Sequence, residues 1–94
     1  MSADEEFSQN VEIVNKRGLH ARASARLAKE AGQFGAIVTV CKADTCVTAT
    51  SIMGLMMLGA AKGDTVTVRA TGSDAEDALK DITHLIEARF GEAE

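Results

Sequence analysis

Gly18-Leu19-His20-Ala21-Arg22 is where this chain concentrates its chemistry. A neutral imidazole is a nucleophile, and an arginine stands two residues after it. Downstream, Ser24, Leu27, Ala28 and Ala31 fall on one face at helical spacing. The spacing predicts a helix over Ala21–Gln33, with His20 at its mouth. There the first backbone N–H groups have no intrahelical acceptor, and the helix dipole favours an anion. A nucleophile beside open amides and a fixed guanidinium is suited to receiving a phosphoryl group. Lys16, Arg17, Arg26 and Lys29 add positive charge nearby in sequence and suit a basic rim that steers acidic partners.

The elements that must position this site follow from periodicity. Val11–Val14 alternates like a half-buried strand, and Asn15-Lys16-Arg17-Gly18 reads as a loop. Gly32 and Gly35 frame the exit of the first helix. Ala36–Cys41 is a β-branched run, a turn falls around Ala43–Asp44, and Cys46–Ala49 completes a hairpin. Ser51–Gly59 is a short apolar helix with Ser51 as its N-cap. Thr65–Ala70 alternates as a strand. Ser73 or Asp74 caps a last helix whose stripe is Ala75, Ala78, Leu79, Ile82, Leu85, Ile86 and Phe90, ended by Gly91. His84 lies off that stripe and reads as a plain surface residue. The order βαββαβα predicts an α+β fold of two layers. Residues 1–9 read as a disordered acidic tail and residues 10–91 as a single domain.

Composition narrows the function. A chain of 94 residues forms one domain and buries roughly 60–65% of its unfolded surface. With no Trp or Tyr and only three Phe, it lacks stacking platforms for single-stranded nucleic acid. A net charge of −4 argues against a general polyanion binder. No apolar run approaches the ~20 residues of a membrane span. Met1–Glu6 is acidic without a hydrophobic signal core, so a cytoplasmic chain is expected. Cytosolic disulfides are rare, so Cys41 and Cys46 are expected as free thiols. Two sulfurs without nearby histidines make no zinc site, and no metal or cofactor is expected.

Gly18-Leu19-His20-Ala21-Arg22 together with Ser51-Ile52-Met53-Gly54-Leu55-Met56-Met57-Leu58-Gly59, in this element order, closely resembles the HPr family. Its members are the histidine-containing phosphocarriers of the bacterial phosphoenolpyruvate-dependent phosphotransferase system. The resemblance covers roughly residues 10–90. It implies an open-faced β-sandwich, with a four-stranded antiparallel sheet covered on one face by three helices. It implies that His20 is phosphorylated on Nδ1 (the pros nitrogen) by phosphorylated enzyme I and passes the group to an enzyme IIA domain, and that Arg22 stabilises the phosphoryl group. Ser51 matches a serine that a dedicated HPr kinase/phosphorylase modifies in many bacteria. The short helix matches the docking surface for donor and acceptor. Leu55 and Leu58 suit the core there, leaving Ile52, Met53 and Met56 for partners, with Arg17 nearby. The family also suggests a monomer.

Two departures stand out. Ala23-Ser24 replace the family's usual Pro-Ala. Proline in a first helical turn fixes φ and gives up an N–H that is open in any case. Ala23 therefore restores an amide near the anion, and phosphoryl transfer is expected to survive with an altered phosphohistidine lifetime. The Ser24 hydroxyl is expected to bond a carbonyl one turn earlier or in the loop. Asn15-Lys16-Arg17-Gly18 and Ala61-Lys62-Gly63 look similar to the nitrogen-related regulatory branch, whereas Ser51-Ile52-Met53-Gly54 looks like the sugar-transport members. Two other classes compete with a phosphocarrier. A docking regulator with the same fold has no need of His20 and Arg22. A ferredoxin-like metal carrier needs a tight Cys-x-x-Cys before the first helix, and this chain has none.

Overall fold

The computed structural model describes residues 5–93. The elements run β1 (Glu6–Glu12), α1 (Ala21–Ala31), β2 (Ile37–Lys42), β3 (Thr45–Thr48), α2 (Ile52–Met57), β4 (Thr65–Thr71) and α3 (Ala75–Glu87), followed by a 3-10 turn at Arg89–Gly91. The sheet has four strands in the order β1-β4-β2-β3, with every neighbouring pair antiparallel. This is the expected open-faced sandwich.

Alternation decides which face is covered. Val11, Val38, Val40, Val66, Val68 and Ala70 point to the helices and are buried, while Asn10, Ile37 and Arg69 on the other face are exposed. Ile13, Leu27, Leu55, Ile82 and Ile86 complete the core between sheet and helices. All seven residues of the expected α3 stripe are buried.

The structure corrects three expectations. The first strand starts at Glu6, so Glu6–Gln9 are not tail: they pair with Val68–Thr71 across β4. As an edge strand with one open face, β1 carries mostly polar residues, and that muted the alternation that marks a strand. The rest of the expected tail, apart from Glu5, lies outside the described residues. Secondly, Cys41 and Cys46 are joined by a disulfide. The hairpin register places them directly opposite each other, with Cα atoms 4.0 Å apart. Thirdly, Asp74 stands at the N-cap of α3 without capping it. Its carboxylate instead accepts from the Gly35 and Ala36 amides at 2.9 and 2.7 Å, tying the start of α3 to the turn after α1.

One glycine sets the relation between the loops before α1 and after α2. Gly18 has φ +64°, and a Cβ there would lie 2.3 Å from the Ala60 carbonyl oxygen. The loop before His20 can therefore lie directly on the loop after α2. The Leu19 N–H donates to the Ala60 carbonyl at 2.9 Å across this contact.

Candidate functional site

His20 is the N-cap residue of α1, with φ −73° and ψ −179°. Its side chain makes no capping hydrogen bond. The ring therefore does not stopper the first-turn amides of Ala21, Arg22 and Ala23, which have no intrahelical acceptor. The first intrahelical bond runs from the Ser24 N–H to the His20 carbonyl at 2.9 Å. Ser24 Oγ donates to the Leu19 carbonyl at 3.2 Å, the expected backbone bond to the loop.

Beside the ring lies an open cleft of about 330 Å³ lined by Lys16, Arg17, His20, Arg22, Glu92 and Ala93. Three cationic side chains thus face one carboxylate around a nucleophile. Of the expected basic rim, Arg17 and Lys16 reach the cleft. Arg26 instead lies 4.0 Å from Glu30 along the helix, and Lys29 is in the last turn of α1.

Two residues of the site were not singled out from sequence. Asn15, read as loop, is fully buried. Its Nδ2 donates to the Gly18 carbonyl at 2.8 Å and to Glu92 Oε1 at 3.0 Å. Glu92 falls just beyond the expected domain end at residue 91. Its Oε2 lies 2.5 Å from His20 Nε2, with the two side chains 19% and 14% exposed. Burial opposes ionisation of Glu92. The hydrogen bonds from Asn15 and His20, with the charges of His20 and Arg17, outweigh that and hold its pKa below the ordinary value. A Phe-Gly pair ending a helical stripe was the available signal that the chain turns back here.

Ser51, Ile52, Met53 and Met56 do not line this cleft. Ser51 is the N-cap of α2, and its Oγ accepts from the Gly54 N–H at 3.0 Å. Leu55 and Leu58 are buried as expected. Ile52, Met53 and Met56 are exposed, joined by Met57, which sequence reasoning left out. His84 is exposed on α3. Among the described residues no group of three or more His, Cys, Asp or Glu side chains is placed to hold a metal ion, and no helix is long and apolar enough to cross a membrane.

Comparison with known proteins gives a consistent result. The sequence model for the phosphorylation site of the PTS HPr component matches residues 7–88. The phosphocarrier protein HPr of Neisseria meningitidis serogroup A is 49% identical over 88 residues, covering 94% of this chain and 99% of the relative. The phosphocarrier protein NPr of Shewanella violacea is 41% identical over 87 residues, covering 93% and 96%. Among solved structures, HPr from Thermoanaerobacter tengcongensis superposes with a TM-score of 0.89 at 42% identity, covering 94% of this chain and 99% of that one.

Proposed function

The chain belongs to the HPr family of phosphocarriers of the phosphotransferase system, and from that premise we propose that His20 takes a phosphoryl group on Nδ1 from phosphorylated enzyme I and hands it to an enzyme IIA domain. The observation that carries this reading is the cleft beside the α1 N-terminus, lined by the imidazole, Arg17 and Arg22, at a helix start that has no side-chain cap. A phosphoryl group brings about −1.5 to −2 charges. First-turn amides and Arg22 stabilise that charge by charge-assisted hydrogen bonds. The cleft is open, so the group is held without being enclosed, as transfer in both directions requires.

The exposed apolar face of α2 is the docking surface in this reading. Four adjacent exposed hydrophobic side chains on six helical residues mark a partner site, and methionine adapts to more than one partner. Arg17 steers the same partners from the cleft. Ser51 is the regulatory position: a phosphate added by an HPr kinase would place charge at the start of the docking helix. The protein acts in the cytoplasm as a monomer, without cofactor.

The test is the intact mass of the purified chain after incubation with phosphoenolpyruvate and catalytic enzyme I. One acid-labile phosphoryl group is expected on the parent chain and none on His20→Ala. A parent chain that gains no group from a cognate enzyme I contradicts the reading and leaves a docking regulator in its place.

A further inference from the structure

Neutral imidazole has one N–H and one lone pair, and which nitrogen carries which is set by its hydrogen bonds. At His20 the partner is unambiguous. An ionised carboxylate can only accept, so the 2.5 Å contact to Glu92 Oε2 requires the proton on Nε2. The carboxylate is itself held. Asn15 Nδ2 grips its other oxygen at 3.0 Å and is anchored in turn to the Gly18 carbonyl at 2.8 Å.

The backbone bends to make this contact. Arg89, Phe90 and Gly91 have φ of 60°, 56° and 79°, successive left-handed conformations just after α3. A Cβ disfavours this conformation, so Arg89 and Phe90 adopt it against their own preference. Phe90, 4% exposed, pins the turn into the core. Costly backbone geometry that aims one side chain at a reactive group points to a role at that group.

We propose that Glu92 is a positioning residue for His20: its carboxylate holds the proton on Nε2 and covers that nitrogen, leaving Nδ1 to take the phosphoryl group. This rests on the reading of His20 as the phosphoryl acceptor. The Nδ1 lone pair attacks phosphorus, and the new N–P bond forms as the donor's P–N bond breaks. The bonding pair of the broken bond returns to the donor nitrogen. Nε2 keeps its proton throughout, so the product is a cationic phosphoimidazolium whose charge faces Glu92. Arg17, Arg22 and Lys16 are the other charged groups lining the cleft, and Arg22 is the partner for the phosphoryl oxygens.

Phosphoramidate, a small P–N donor that needs no docking, tests this on the full chain, Glu92→Ala and Glu92→Gln. 15N NMR of the unphosphorylated ring reads the tautomer, and 31P NMR reads which nitrogen is modified. The parent chain is expected to hold the Nε2–H tautomer and to give Nδ1-phosphohistidine alone. Glu92→Ala is expected to mix the tautomers and divert part of the phosphoryl group to Nε2. Glu92→Gln matches the glutamate in size and lacks the charge. It is expected to shift the pH dependence of phosphohistidine hydrolysis towards lower pH, because Nε2–H loses its anionic partner. An Ala variant that keeps one tautomer and exclusive Nδ1 modification overturns the proposal, as does an unmoved hydrolysis profile in the Gln variant. If the parent chain accepts no phosphoryl group at all, the reading of His20 fails, while the tautomer measurement, which uses no donor, still judges the role of Glu92.

Discussion

The His20 cleft and the α2 face sit on loops locked together at Gly18 and Ala60, yet they are built in opposite ways. Around His20 nearly every feature is polar and fixed. The ring is mostly buried, Asn15 is wholly buried, and a chain of hydrogen bonds runs from the Gly18 carbonyl through Asn15 and Glu92 to the ring. On α2 the polar content is one serine cap, and the surface is apolar and adaptable, with Met53 71% and Met57 78% exposed. A group transfer needs atoms placed to a fraction of an ångström. Recognising both a donor and an acceptor needs a surface that repacks. In the function proposed above, this contrast separates chemistry at His20 from recognition on α2, and the Gly18–Ala60 contact ties their loops together.

Breaking the junction should have the largest effect. Gly18→Ala forces a Cβ against the Ala60 carbonyl at a positive φ. It is expected to destabilise the fold by roughly 3 kcal/mol, read as a lowered urea midpoint. A variant as stable as the parent would show that the loops do not depend on this approach. The next test separates the two regions. Met53→Glu puts a charge into the exposed apolar face of α2 and, on the proposed docking role, is expected to slow phosphoryl gain from enzyme I about tenfold.

Smaller effects sharpen the contrast. Ser51→Ala removes the cap of α2 and is expected to cost about 1 kcal/mol in chemical denaturation, with the His20 ring tautomer unchanged. Carboxylates in the molecule should respond to pH with opposite signs. Glu92 has a lowered pKa, so its contact with the cleft contributes above its ordinary 4.5 and is lost as pH falls below that value. Glu30 is raised, chiefly by sharing a hydrogen bond with Asp81, then by burial and by the Asp81 charge. Its contribution is present below 4.5 and lost as pH rises through its folded value. Glu30→Gln should therefore have a higher Tm than the parent at pH 7, with the gain disappearing below pH 4.5. Equal Tm values at both pH values would contradict the sign.

Much of this was legible in the residues. The stripe of α3 and the alternation of β4 are strong periodic signals, because each buries one face only, and β2 shows as a β-branched run. Leu55 and Leu58 turn inward and Ile52, Met53 and Met56 outward as helical spacing requires. The start of β1 was hidden because an edge strand on an open sheet has few apolar positions. The disulfide depends on register: five residues of separation place two cysteines opposite each other only if the turn is two residues long. Asn15 and Glu92 are 77 residues apart and meet only because three consecutive left-handed residues reverse the chain after α3. No local pattern encodes a contact between polar residues that distant.

The central claim is that His20 does the chemistry and α2 the recognition. Intact-mass time courses of the parent chain, His20→Ala and Met53→Glu, each with phosphoramidate and with enzyme I plus phosphoenolpyruvate, test it most directly. His20→Ala should gain no phosphoryl group from either donor. Met53→Glu should match the parent with phosphoramidate and lag only with enzyme I. A phosphoryl group on His20→Ala, or a Met53→Glu variant slowed equally with both donors, would contradict the division of labour.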